Sequence, residues 1–398
     1  MKESFYSPSD AVSCVALPEY DEAKAREALL VLLEPIGGLD FVKAGMTVVI
    51  KANLVSAMKP ERGATTHPVL LCALTRLLIE RGARVIVGDS PGGLYNRAFV
   101  GRVYKVAGLD AVIEAGAELN DDFSELTAEY SDGVVLKSFT YTGYLDKADL
   151  IINFCKLKSH GMMGMSCAAK NMFGVVPGII KPEYHFRFPE YEDFANMILD
   201  LDEYFHPVLS IADAVVGMEG NGPTAGDAKH IGVLLASRSP HTLDLCAARL
   251  IGIDPTTLPT LNAALARGLI PDGFEGVTLY GDLEALLVKD FKTVMERRSM
   301  LFSGDGKNPI KRFFSKIAAS VLGTRPVLKN KMCVGCGVCR DICPAKAIVI
   351  EKGKARIDRK ACIRCFCCQE FCPKSAMKVG RSVIGAVFHR SEKKRSEK

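Results

Sequence analysis

The chain has 398 residues, 48% of them hydrophobic and 24% charged, with a net charge of +5. That length and apolar content exclude a disordered polypeptide and leave room for one large and one small folded domain; so mild a total charge carries no nucleic-acid footprint. No basic region followed by an apolar core opens the sequence, and no apolar run reaches the roughly 18 residues of a bilayer span, so a cytoplasmic protein without a transmembrane segment is expected.

From about residue 46 to 280, short β-branched runs alternate with longer helical patterns. Residues 47–51 read as a buried strand, 68–81 as a helix, 84–87 as a strand and 98–107 as a helix. A strand at 150–154 follows, then a polar, helix-rich stretch to 205, strands at 208–212 and 231–236, a helix at 240–251 and a strand at 276–280. Strands that are apolar throughout and alternate with helices predict an α/β domain over residues 1–290, a mostly parallel sheet with helices on both faces. Ligands of such folds bind beyond the carboxyl ends of the strands, so the following loops are the candidate site.

Four of those loops share a chemical character. Lys51-Ala52-Asn53 closes the first strand, and Thr66-His67-Pro68 opens the next helix, where Thr66 or His67 can cap and Pro68 suits the first turn. His67 is either a ligand residue or a plain cap. Gly88-Asp89-Ser90-Pro91-Gly92-Gly93 lets backbone N–H groups approach an anion, although a Pro-Gly turn needs none. The densest group is Lys156, Lys158 and His160, then Lys170 and Asn171, then Lys181 and His185, with no acid between Asp149 and Glu183. Crowded cations without acids in the sequence around them predict an anionic small-molecule site. The fourth loop offers Glu219 and Asn221, as substrate ligands or as turn residues. Asp244 reads as a first-turn acid of its helix, and Cys155 as a buried thiol or one activated by Lys156.

Residues 291–325 read as a basic linker. A breaker cluster at 303–309 precedes a basic amphipathic helix at 310–322, either a connector or a peripheral membrane contact. Residues 326–382 hold nine of the fourteen cysteines. Cys333, Cys336, Cys339 and Cys343-Pro344 repeat as Cys362, Cys365, Cys368 and Cys372-Pro373, the run of two-cluster bacterial ferredoxins in which the fourth cysteine serves the other cluster. The pattern predicts two 4Fe-4S clusters with crossed ligands: Cys333, Cys336, Cys339 and Cys372 for the first, Cys362, Cys365, Cys368 and Cys343 for the second. A zinc site uses paired ligands rather than four cysteines in eleven residues repeated, and Cys367 is expected to be a bystander. Residues 383–398 form a basic tail.

The blocks Lys51-Ala52-Asn53, Thr66-His67-Pro68, Gly88-Asp89-Ser90-Pro91-Gly92, Lys156-Leu157-Lys158-Ser159-His160, Lys170-Asn171 and Glu219-Gly220-Asn221-Gly222-Pro223 resemble those of the family called domain of unknown function 362. The likeness covers residues 48–280. Members often carry a two-cluster ferredoxin module, so the resemblance implies an α/β fold and a redox association without supplying a reaction. A more distant likeness, of fold more than of residues, is to the nickel-pincer lactate racemase group, and it implies a test of Lys158 and His160.

The leading expectation is a ferredoxin-coupled oxidoreductase working under anaerobic conditions. Clusters exchange electrons with a redox partner protein; Lys51, Asn53, His67, Asp89, Lys156, Lys170, Asn171, Glu219 and Asn221 hold an anionic substrate, and Lys158, His160 and His185 do the chemistry. Collecting two electrons would call for an additional, unidentified cofactor in the α/β domain. The alternatives are an electron-transfer or cluster-delivery adaptor that docks a partner through its lysines, and a non-redox isomerase with a regulatory iron–sulfur module.

Overall fold

The computed structural model describes residues 10–293 and 324–380. The expected breaker cluster, the amphipathic helix at 310–322 and the basic tail lie outside those residues. Two compact units divide the chain, Met1–Thr293 and Val294–Lys398.

In chain order the first unit runs β1 (Ala11–Ala16), α1 (Glu22–Leu33), β2 (Thr47–Lys51), α2 (Pro68–Ile79), β3 (Arg84–Gly88), α3 (Arg97–Val106), α4 (Asp110–Glu114), β4 (Glu118–Leu119), a separate hairpin of β5 (Glu125–Glu129) and β6 (Ser138–Thr142), β7 (Leu150–His160), β8 (Gly164–Ser166), α5 (Ala168–Met172), α6 (Lys181–Arg187), α7 (Tyr191–Phe205), β9 (Leu209–Glu219), β10 (Asp227–Ser237), α8 (Pro240–Leu250), α9 (Pro259–Ala266) and β11 (Thr278–Tyr280). The sheet order is β11-β1-β10-β9-β7-β2-β3-β4, with β8 beside β7. Strands β4, β3, β2, β7 and β9 run parallel to one another, whereas β10 is antiparallel to both β9 and β1, and β8 to β7.

The pleat sends alternate residues to opposite faces. Val48, Ile50, Ile152, Phe154, Leu209 and Ile211 join one core with Leu29, Leu32, Leu70 and Leu74 of α1 and α2. On the opposite face Asn153 reaches the Ala168 carbonyl of α5, and the Cys155 sulfur lies 3.5 Å from that of Cys167. Helices thus cover both faces of a mostly parallel sheet.

Several elements differ from the sequence reading. Strand β7 continues to His160, so Lys156, Lys158 and His160 lie on a buried strand rather than in a loop. Strands β9 and β10 are also longer than the apolar runs that announce them, because paired backbone, not side-chain hydropathy, sets a strand's end. The first two elements, β1 and α1, carried no recognised signal.

The second unit contains β12 (Arg325–Leu328), α10 (Val338–Asp341), β13 (Ile348–Glu351), β14 (Lys354–Ile357), α11 (Cys367–Glu370) and β15 (Met377–Gly380), with β12 paired to β15 and β13 to β14, both antiparallel. The duplication extends to the backbone. Gly335 and Arg364 sit at φ 67 and 59, Gly337 and Phe366 at φ 84 and 62, and Lys346 and Ser375 at φ 50 and 48. Equivalent positions adopt the same left-handed conformation whether or not glycine occupies them, so loop geometry here outweighs side-chain preference.

Candidate functional site

In the small unit the cysteines divide four and four. Cys333, Cys336, Cys339 and Cys372 line one cavity with Leu328, Ile350 and Met377. Cys343, Cys362, Cys365 and Cys368 line another. Each fourth cysteine therefore crosses to the other triplet. Each also accepts a backbone N–H four residues on, Ala347 N to Cys343 Sγ at 3.3 Å and Ala376 N to Cys372 Sγ at 3.2 Å. Burial, then the neighbouring Cys372, Cys333 and Cys336, raises the Cys339 thiol; four thiolates crowd there only if a cationic group sits among them. Among the described residues no three His, Cys, Asp or Glu side chains converge on a single metal-ion position. Four cysteines from a duplicated C-x2-C-x2-C-x3-C-P run line each cavity, which suits a polynuclear cluster better than the paired ligands of a zinc site. A Cβ on Gly335 would press on the Gly353 carbonyl, so the first loop closes only with glycine there. Cys367 also lines the second cavity and is buried.

In the large unit the predicted residues gather at the carboxyl ends of β2, β3 and β7. Lys51, the last residue of β2, is fully buried and lies 2.6 Å from Asp89 Oδ1; it also donates to the Asn171 carbonyl at 3.0 Å. Asp89 Oδ2 accepts the Leu54 N–H at 2.7 Å, which ties the loop after β2 to the loop after β3. Asn171 Nδ2 donates to Asn153 Oδ1 at 2.7 Å, and Asn171 Oδ1 accepts from Asn53 Nδ2 at 2.9 Å. Asn53 Oδ1 in turn accepts from Lys158 Nζ at 2.7 Å, and Lys158 donates also to the Ala64 carbonyl. Asn53 thereby joins the α5 side of the sheet to the β7 lysine.

A second group surrounds Asp213. Its carboxylate accepts from Lys156 Nζ at 2.7 Å, Tyr20 Oη at 2.9 Å and the backbone N–H of His67 at 3.0 Å. Burial pulls the Lys156 ammonium below its ordinary value, and Asp213 opposes that. Burial and then Asp213 push the Tyr20 phenol upward. The Tyr20 and His67 rings stack with centroids 3.6 Å apart, and burial lowers His67 to about 4, so its ring is neutral at pH 7. His67 caps α2, its Nδ1 accepting from Val69 N. Thr66 instead bridges Asn53 N and the Phe154 carbonyl.

The expectation of uncompensated cations is corrected here. Lys51 and Lys156 are paired with Asp89, from the loop after β3, and Asp213, on β9, acids distant in sequence and so invisible to a reading of neighbouring residues. Lys156 and Lys158 are 0% and 1% exposed, which also removes them from any surface a partner protein could touch.

The remaining candidates have contacts of their own. His160 Nδ1 accepts the Met162 and Met163 N–H groups, both at 3.1 Å, so the neutral ring carries its proton on Nε2. His185 stacks on Phe194 at 4.3 Å, and Lys170 Nζ lies over Phe173 and Phe194, which unites those two residues in one aromatic cluster. Lys181 holds the Ser90 and Val176 carbonyls. Glu219 binds Lys292 through both its backbone N–H and its ammonium, and Asn221 follows in the loop whose Gly220 carbonyl accepts from Ser159. Asp244 is no first-turn acid: buried in α8, it accepts the Ala168 and Ala169 N–H groups that open α5.

Asp213 and Tyr20 were missed. Asp213 had a signal, a lone acid inside an apolar strand, where a buried charge needs a partner; Tyr20 had none.

A family described as domain of unknown function (DUF362) matches residues 48–249, a little over half the chain. The chain belongs to the DUF362 family. A 4Fe-4S dicluster domain follows at residues 325–373, so this DUF362 protein carries a ferredoxin-type, iron–sulfur-binding unit. The thylakoid-associated protein sll1697 of Synechocystis sp. is 32% identical over 277 residues, 67% of this chain and 82% of that protein. The lactate racemase apoprotein of Thermoanaerobacterium thermosaccharolyticum shares 13% identity at a TM-score of 0.37; the match covers 60% of this chain and spans 55% of the racemase. A likeness that low carries no argument about activity. No helix among the described residues is long and apolar enough to cross a membrane.

Proposed function

We propose that this DUF362 protein is a two-cluster electron-transfer protein whose α/β unit acts on an anionic small molecule, a ferredoxin-coupled oxidoreductase. One observation carries the iron–sulfur part: the eight cysteines divide crosswise around two cavities. Cys333, Cys336, Cys339 and Cys372 would hold one 4Fe-4S cluster, and Cys362, Cys365, Cys368 and Cys343 the other. When bound, each would carry one electron to or from a redox partner. The Ala347 and Ala376 N–H groups, aimed at Cys343 and Cys372, would stabilise negative charge on sulfur.

In the α/β unit Lys158, on β7 and held by Asn53, and Lys170, held over Phe173 and Phe194, would bind carboxylate or phosphate oxygens. The Lys51–Asp89 and Lys156–Asp213 pairs would fix the loops that shape the site. His160, with its proton on Nε2, and His185 would serve as proton carriers. A further cofactor in this unit remains part of the proposal, as does a cytoplasmic location; the thylakoid association in the Synechocystis protein's name is the competing reading.

The test is anaerobic purification of the full chain with iron counting and electron paramagnetic resonance. Two clusters require about eight iron atoms per chain. Cys343→Ser should remove the cluster of the distant Cys362 triplet and leave that of the adjacent Cys333 triplet. Loss of the adjacent cluster instead would refute the crossed assignment. Phosphate and small carboxylates should bind the wild type and not Lys158→Met; equal binding would refute the anion site.

A further inference from the structure

The overall charge of +5 conceals a division. Residues 1–293 carry 26 Lys and Arg against 38 Asp and Glu, a net −12, whereas residues 294–398 carry 25 against 8, a net +17. Within the described part of the small unit, residues 324–380, the balance is 13 against 4, a net +9. A ferredoxin-type unit so basic attracts acidic surfaces and repels basic ones.

Its exposure is also lopsided. Cys336 is exposed, whereas the other eight cysteines that line the two cavities are buried or partly so. Around it Met332, Val334 and Val338 are 40%, 61% and 37% exposed. On the second cavity the equivalents of Cys336 and Val338 are inward, Cys365 at 8% and Cys367 at 1% exposed, and Ile363, which matches Val334, is half-buried; only Ala361, which matches Met332, is exposed. Cations frame the first cavity's edge. Lys374 lines it, Lys354 Nζ holds the Cys333 carbonyl, and exposed Lys331 and Arg340 flank the same loop. An apolar centre with a charged rim is the usual anatomy of a protein–protein contact.

We propose that this Cys336 edge is the docking face for an acidic one-electron carrier protein. The proposal deepens the iron–sulfur reading and rests on it. The apolar centre excludes water around the exposed Cys336, which would be a ligand of the first cluster, and the lysine rim steers the partner so that this point is met. A protein, rather than a lipid surface, fits because only a partner with its own redox centre gains from the coincidence of contact and exposed ligand. The transfer is a single electron from the partner's reduced centre to the oxidised cluster, with no bond broken and no proton required.

The test uses the full-length, anaerobically prepared protein and a reduced acidic 2Fe-2S ferredoxin as probe, with the second-order electron-transfer rate read by stopped flow. Lys331→Glu with Lys374→Glu should lower the rate at low salt about tenfold or more, and the wild-type rate should fall as salt rises. Lys346→Glu with Lys360→Glu, the same charge change beside the second cavity, should alter it less than about twofold. Iron content and resonance spectra of every variant separate the two readings. Chains without clusters overturn both; chains with full clusters but no salt dependence, or equal loss from either pair, overturn the docking face alone. Retention of the wild type by phosphatidylglycerol vesicles, lost in Lys331→Glu with Lys374→Glu while the electron-transfer rate is unchanged, would make a membrane the occupant and also overturn it.

Discussion

Lys51 Nζ lies 2.6 Å from Asp89 Oδ1, with both side chains buried at the carboxyl ends of the adjacent parallel strands β2 and β3. Breaking such a pair leaves one charge stranded where water cannot reach it. Asp89→Asn should therefore destabilise the α/β unit by about 3–5 kcal/mol, and Lys51→Met with Asp89→Leu should recover most of that. Urea unfolding followed by circular dichroism checks both; a double variant no better than the single would mean that the pair's hydrogen bonds to the loops, not its charges, set the cost.

Gly174 supports the same pair from outside. A Cβ there would overlap Lys51 Nζ and Asp89 Oδ1, two buried atoms already paired with each other, and would push them from that pairing. Gly174→Ala is expected to cost about 1–3 kcal/mol through overpacking. Gly101 in α3, where an added Cβ meets nothing within 4 Å, is the contrast: Gly101→Ala should stabilise by about 0.5–1 kcal/mol. Thermal melts of the two variants should shift in opposite directions.

Asn53 is the joint between Asn171 and Lys158. Asn53→Ala removes an acceptor from a buried ammonium and a donor from a buried amide, and a loss of about 1–3 kcal/mol follows. Lys158→Met in that background should cost less than Lys158→Met alone, because the two residues share one hydrogen bond. A double-mutant cycle from denaturant melts measures the coupling; strict additivity would refute it.

How far the sequence speaks depends on how local each feature is. The cysteine loops are local, since four ligands within eleven residues announce their own geometry, and the crossed grouping needed only the offset of the fourth. Lys51, Asn53, Asp89 and Lys158 were legible as polar residues clustered near strand ends. Their partnerships were not. The acid that answers Lys156 lies 57 residues away on β9, and Tyr20 lies 136 residues back, before α1. Strand pairing brings them together, and no window of neighbouring residues reports that. His67 was legible as a cap because capping is a contact between residues two apart.

Asp244 offers a test by pH. Burial raises its carboxyl to about 7, against the Ala168 and Ala169 N–H groups and Cys167, which pull it down. Between about pH 4 and 7 the folded chain keeps a proton there that the unfolded chain has lost. More protons are bound when folded, so this group's contribution to stability is present at low pH and declines by about 1.4 kcal/mol per unit as pH rises, up to about 4 kcal/mol in all. His241 works in the opposite sense. Burial and then Arg267 lower it to about 3, so from about pH 3 to 6.5 the unfolded chain binds the extra proton and stability rises with pH. Asp202, held well above the usual carboxylate range by burial and then by Asp244 and Glu203, shares the same core. Comparing wild type with Asp244→Asn at each pH cancels the His241 contribution. The variant loses one of two hydrogen bonds to α5 at every pH, a constant offset, and should gain on the wild type as pH rises from 4 to 8. Urea midpoints measured across that range decide it; a difference that stays flat would mean Asp244 is ionised in the folded chain throughout, with the two backbone N–H groups outweighing its burial.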